Sequence, residues 1–231
     1  MARGVIQAPF FEIGPKSYLY GDEILELALA ADKASEKYGV DIIFTCPVVD
    51  IRRVAEATKY IHVFAPHMDP IPIGRGLADT LAESLVAAGA EGVMLNHVEK
   101  PLEHDVLDAT IKRAAEVGLL SIVCADSMAD ATRIAKLGPD IVVAEPSELI
   151  GTGVSVGPEY VEAATKCVKD VNPNILVLTA AGIAGGEDVY NTIIAGADAT
   201  GSSSGVAKAA DRAAMVDEMI AAVRRAWDAR H

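Results

Sequence analysis

The sequence predicts an α/β protein built as a single (β/α)8 barrel over residues 1–231. Three observations predict it. Short apolar runs of strand length alternate with longer segments of helical period along the whole chain. Eight such pairs fit within 231 residues, the size of one α/β barrel of about 250 residues. No Ser-, Gly- or Pro-rich linker and no low-complexity tract breaks the alternation, so no domain boundary is marked.

Strands are expected at Pro9–Ile13, Asp41–Thr45, His62–Ala65, Gly92–Leu95, Leu120–Cys124, Ile141–Ala144, Ile175–Leu178 and Ala197–Gly201. Most are apolar throughout and rich in β-branched residues, as strands covered on both faces of a parallel sheet are. The last is small and polar and gives the weakest signal. Between them, Glu23–Tyr38 repeats Ile24, Leu27, Ala28, Ala31 and Ala34 on one helical face. Leu102–Val117 repeats Val106, Ala109, Ala114 and Val117, and Pro158–Val171 and Arg212–Ala229 read similarly. Gly157-Pro158 marks a helix start, and Gly39 and Gly118 mark two helix ends. The competing fold, a doubly wound open sheet, places G-x-G-x-x-G after its first strand. Here that stretch reads Gly14-Pro15-Lys16-Ser17-Tyr18.

Composition narrows the function. Hydrophobic residues make up 51% and aromatics only 5%, so the core is aliphatic, and 23% charged residues fit a folded domain. A net charge of −13 repels phosphate backbones and anionic surfaces, which argues against nucleic-acid and membrane partners. Cys46, Cys124 and Cys167 are widely spaced and form no C-x-x-C, so neither a disulfide framework nor a zinc ribbon is expected. Neither a signal-type apolar segment nor a spanning run is visible, which gives a cytoplasmic expectation.

In a barrel, chemistry sits in the loops after the strands. Strand one is followed by Lys16, strand four by Asn96-His97-Val98-Glu99, and strand six by Glu145-Pro146 and then Ile150-Gly151-Thr152-Gly153. Strand seven leads to Ala180-Ala181-Gly182 and strand eight to Ser202-Ser203-Ser204-Gly205. Glycine loops after strands seven and eight suit a phosphate held by backbone N–H groups. A carboxylate such as Glu145 can take a proton from carbon beside a carbonyl, while His97 and Lys16 steady the oxyanion. The Gly151–Gly153 segment reads as a hinged lid. Each residue alone also has an ordinary structural reading. Their gathering at one barrel mouth is what points to a site.

Asn96-His97-x-Glu99, Glu145-Pro146-x-x-x-Ile150-Gly151-Thr152-Gly153, and Phe64-Ala65-x-His67-x-Asp69-Pro70 resemble signatures of the triosephosphate isomerase family, closest to its compact archaeal form. The resemblance runs from about residue 10 to 208 and implies a TIM barrel. It also implies isomerisation of triose phosphates through an enediolate, with Glu145 as base and His97 as neutral electrophile. By the same resemblance Lys16 would supply positive charge and Glu99 would orient it. Gly151, Thr152, Ala181, Gly182, Ser204 and Gly205 would form the phosphate cup. The pairing of a glutamate base with a neutral histidine is the general worked example for this family. A helix starting near Pro101 would aim its positive end at His97 and disfavour the imidazolium. No cofactor and no metal are expected; His62, His67, Glu103 and His104 lack ligand spacing.

The match also departs. The family places Asn-x-Lys after strand one, where this chain has Gly14-Pro15-Lys16. Loss of one oxyanion donor costs on the order of 3 kcal/mol of transition-state stabilisation. Two readings of the reaction follow: a divergent triose-phosphate isomerase, which leads, or an isomerase of a longer ketose phosphate such as erythrulose phosphate in polyol breakdown. A third is a non-catalytic sugar-phosphate-binding barrel. Apolar Ile71, Ile73 and Leu77 in the long loop from Pro70 to Leu81 suggest self-association, and the resemblance implies a homodimer or homotetramer.

Overall fold

A computed structural model of the chain describes residues 5–149, 152, 155–180 and 182–231. Eight parallel strands close into a barrel in sequence order: β1 Phe10–Ile13, β2 Asp41–Thr45, β3 Ile61–Ala65, β4 Gly92–Leu95, β5 Leu120–Ala125, β6 Ile141–Ala144, β7 Leu176–Thr179 and β8 Ala199–Ser202. Pairing of Phe10 with Ala199 and of Glu12 with Gly201 joins β8 back to β1. Every expected strand is present, with ends shifted by at most two residues.

Alternation along the strands divides the core in two. Phe10, Ile43, Phe64, Ile122, Cys124, Val143 and Leu178 point inward and fill the barrel. Phe11, Ile13, Ile42, Phe44, Val63, Val123, Val142 and Val177 point outward, under the helices. The first strand therefore aims Phe10, Glu12 and Gly14 at the barrel axis. A carboxyl on that line is the single departure from an otherwise apolar strand.

The helices are α1 Asp22–Tyr38, α2 Ile51–Ala57, α3 Ala82–Ala88, α4 His104–Val117, α5 Met128–Ala135, α6 Pro158–Lys169, α7 Gly186–Ile194, the short α8 Ser204–Ala207 and α9 Arg212–Arg230. In α1, Ile24, Leu27, Ala28, Ala31 and Ala34 are all buried, as their spacing predicts. Gly39 ends it in a left-handed conformation (φ 59°), which costs glycine nothing. Pro158 occupies the first turn of α6, where no helical N–H bond is lost. The Asp211 side chain accepts from Ala214 N–H at 3.0 Å and caps α9, which packs against α1 and α7 and closes the outer ring.

Helix α4 corrects two expectations. It buries Leu107, Thr110, Ile111 and Ala114, while Val106 and Ala109 face solvent. The Thr110 hydroxyl donates to the Val106 carbonyl at 2.6 Å, so a nominally polar residue can turn inward. The helix starts at His104 and not near Pro101. Residues before it are already committed: Lys100 N–H donates to His97 C=O at 2.7 Å, and Leu102 N–H to Asn96 Oδ1 at 3.0 Å.

Candidate active site

The C-terminal ends of the strands surround a cavity of about 820 Å³. Lys16, His97, Glu99 and Glu145, expected as the reacting group, all line it. So do Thr152, Gly182, Ser204 and Gly205 from the expected phosphate end. Gly151 and Ala181 lie outside the described residues, as do Ile150 and Gly153 of the expected lid.

Lys16 takes a left-handed backbone (φ 49°), a conformation that costs a lysine about 1–2 kcal/mol. The turn sends its Nζ across the mouth to donate to Glu99 Oε1 at 3.0 Å. Asn96, also left-handed (φ 58°), braces the loop after β4. Its Nδ2 donates to the Cys124 carbonyl at 2.9 Å, and its Oδ1 holds Leu102.

The backbone N–H of Glu99 donates to His97 Nδ1 at 3.1 Å. An accepting Nδ1 leaves the ring proton on Nε2, so the neutral ring presents an N–H donor. Burial pushes the His97 pKa below the usual imidazole range, Lys16 lowers it further, and Glu99 opposes both. A neutral His97 is thus held by burial and a neighbouring cation, not by the end of α4, which begins at His104.

Glu145 directly follows β6, and its N–H donates to the Ala125 carbonyl at 3.0 Å. Among the described residues its carboxyl has no hydrogen-bond or ion-pair partner. Burial raises its pKa, Lys16 pulls it down and Glu99 pushes it up again. A desolvated carboxylate with no partner is a stronger base than one in water. Cys124 lies beside it, its thiol pushed up by burial and therefore not a thiolate nucleophile.

At the opposite side the loops after β7 and β8 interlock. Ser202 Oγ donates to the Ile183 carbonyl at 2.9 Å. A Cβ at Gly205 would lie 2.5 Å from that carbonyl oxygen and 2.6 Å from Ser202 Oγ, so only glycine fits there.

Three cavity residues escape a reading of the sequence by strand ends. Glu12 and Thr45 lie within strands, and Lys208 follows α8. Lys208 Nζ sits 4.8 Å from the centre of the Tyr18 ring and, with Lys100, adds to the positive charge of Lys16 at the mouth. Glu12 is buried, and its Oε1 accepts from Thr45 Oγ1 at 2.5 Å. Its signal was a charge at an inward position opposite Gly201. Among the described residues, no three His, Cys, Asp or Glu are grouped to hold a metal ion.

A barrel mouth that joins a largely desolvated carboxyl, unpaired among the described residues, to a neutral imidazole and a lysine has the parts to move a proton beside a carbonyl and hold the resulting oxyanion. That is the equipment of an aldose–ketose isomerase. The chain belongs to the triosephosphate isomerase family, whose model matches residues 15–222. It is 35% identical to the triosephosphate isomerase of Saccharolobus solfataricus, over 96% of this chain and 99% of that one. It is 38% identical to that of Methanothermus fervidus, over 87% and 91%. The crystal structure of triosephosphate isomerase from Bartonella henselae shares the fold, with a TM-score of 0.77 at 16% identity over 94% of this chain and 99% of that one.

Proposed function

We propose that Glu145 is the base through which this chain carries out its family's reaction, the interconversion of dihydroxyacetone phosphate and glyceraldehyde 3-phosphate. The Glu145 carboxylate takes a proton from C1 of the ketose. The C–H bonding pair becomes the C1–C2 double bond, and the carbonyl pair moves onto the C2 oxygen. The Glu145 acid then returns the proton to C2 as the C1 hydroxyl gives up its own proton and becomes the carbonyl. One hydrogen has moved from C1 to C2 and one from O1 to O2. His97 Nε2–H serves the two oxygens, and Lys16, oriented by Glu99, offsets the negative charge that develops on them. Gly151, Thr152, Ala181, Gly182, Ser204 and Gly205 form the seat of the phosphate in this reading.

The observation that carries it is the Glu145 carboxyl itself: largely desolvated, unpartnered among the described residues, and on one cavity with a neutral His97. No observation favours the longer-ketose or the non-catalytic reading. Replacement of Glu145 by Gln should lower kcat on the triose phosphates by on the order of 10³-fold while the melting temperature holds. Near-normal turnover would remove Glu145 from the role.

A cytoplasmic homodimer or homotetramer belongs to the same proposal. Tyr20, Val49, Ile73 and Leu77 are exposed in the loops after β1, β2 and β3, apolar surface that a second copy would cover. Leu77→Asp should shift the sedimentation coefficient toward that of a smaller assembly. An unchanged coefficient would count against this loop as the interface.

A further inference from the structure

The floor of the cavity holds a carboxyl that the reaction as described leaves unused. Glu12 points inward from β1, and Thr45 Oγ1 donates to its Oε1 at 2.5 Å. Thr45 thereby fixes Oε1 as the accepting, carbonyl-like oxygen. Oε2 has no hydrogen-bond partner among the described residues.

Two missing side chains make room for this carboxyl. A Cβ at Gly14 would lie 3.0 Å from Oε1 and 3.6 Å from Oε2. A Cβ at Gly201, the β8 partner of Glu12, would lie 3.1 Å from Oε2 and 2.9 Å from the Glu12 backbone oxygen. Gly14, Thr45 and Gly201 line the cavity with Glu12, so the free oxygen is set between glycines at its floor. The carboxyl group occupies the space that a side chain at position 14 would need.

We propose that Glu12 works as a neutral carboxylic acid whose Oε2–H donates a hydrogen bond to a substrate oxygen at the floor of the cavity. The proposal rests on the isomerase reading and supplies it with an oxyanion donor on the strand that has glycine at position 14. The electrostatics agree. Burial pushes the Glu12 pKa up to about 7; the Thr45 hydrogen bond lowers it, Glu145 raises it and Lys16 lowers it. The other titratable groups lining the cavity are Tyr18 after β1, His67 after β3, His97, Glu99 and Lys100 after β4, Cys124 on β5 and Lys208 after α8. None bonds Glu12, and Lys16 is engaged with Glu99. A carboxylic acid kept neutral in an apolar site is an established kind of oxyanion donor. Ionised Glu12 would instead repel the enediolate, so the donor role exists only while the proton stays.

The test is a pH profile of kcat/KM on the triose phosphates for the wild type, Glu12→Gln and Glu12→Ala. Glutamine keeps a donor and an acceptor in the same shape but cannot ionise. Glu12→Gln should stay within about tenfold of wild type below about pH 7 and lose the alkaline fall that wild type shows as Glu12 ionises. Glu12→Ala should lose about 10²–10³-fold, mainly in kcat. A purely structural Glu12 would leave the alkaline limb in Glu12→Gln, and a proton-abstracting Glu12 would make Glu12→Gln as poor as Glu12→Ala. Either result overturns the proposal.

Infrared spectroscopy reads the proton without turnover. The C=O stretch of a buried carboxylic acid should be present near pH 6, fade above about pH 8 and be missing from Glu12→Gln. An inactive wild type that keeps this band would refute the isomerase reading but not the protonated Glu12. An active wild type without it would refute the donor.

Discussion

The two ends of this barrel use the same residue types and drive them in opposite directions. At the end where the strands begin, His62 on β3 lies between carboxylates at the starts of β2 and β4. Its Nδ1 is 2.9 Å from Glu91 Oε2, and its Nε2 is 3.9 Å from Asp41 Oδ1. Burial works against the His62 charge, but the nearby carboxylate of Asp41 and the bond to Glu91 prevail and push its pKa up to about 9. Burial also opposes ionisation of Asp41, and the nearby His62 ring and the bond from Gln7 N–H overcome it and hold its carboxyl below the usual range. At the mouth, burial wins for three groups: Glu12 and Glu145 are raised and His97 is lowered, while Asp69, paired with His67, stays low. Where carboxylate meets imidazole directly, both are charged and the contact stabilises the fold. Where the groups stand apart in a partly desolvated cavity, burial shifts each toward its neutral form, and a proton passes between group and substrate at less cost. Reactivity here comes from withholding partners, at a cost in stability that the paired end does not carry.

The comparison is broken most sharply by removing a mouth cation. Lys16→Met should reduce kcat/KM by about 10²–10³-fold and leave the melting temperature unchanged or raised, since the left-handed lysine serves the site and not the fold. A loss of stability without loss of turnover would reverse the roles assigned to the two ends. The next effect is on stability against pH. Native Glu12 keeps its proton above the pH at which an unfolded carboxyl of pKa 4.5 loses it, so the unfolding free energy falls as pH rises from 4.5 toward about 7. The fall attributable to Glu12 is on the order of 3 kcal/mol, and urea melts of Glu12→Gln should lack it.

His62 should produce a smaller fall in a higher window. Its contribution is full below the unfolded value of 6.5 and is lost as pH rises through about 9. Because its side chain is a fifth exposed and the carboxylates more so, the expected size is about 1–2 kcal/mol. His62→Gln should remove that fall and leave kcat/KM within about twofold of wild type. A variant that also lost turnover would tie the lower face to catalysis.

The barrel was legible because strands covered on both faces have to be apolar along their length, and most of the eight runs of four to six residues are so. The mouth residues were legible because each follows a strand end. Glu12 was not, because a strand read as one apolar block hides its period of two. Split into alternate residues, Phe10, Glu12 and Gly14 place a charge at the barrel axis. The face of α4 was misread because Thr110 counts as polar until its hydroxyl is seen to be satisfied by the turn before it. The source of the neutral His97 was misplaced because a proline at position 101 suggested a helix start, while the preceding turn had already used those residues.

The glycine pair around Glu12 also sets the order in which this mouth can change. A side chain at 201 meets the backbone of β1 at 2.9 Å, so that position is closed whatever residue 12 is. Position 14 is crowded by the Glu12 carboxyl, the tip of a side chain that can move. A larger residue at 14 therefore has to displace Glu12 while Glu12 remains, and gains room once it is gone. Single-site scanning would record Gly14 as costly to change, whereas a library varied at 12 and 14 together would recover larger residues at 14 more readily.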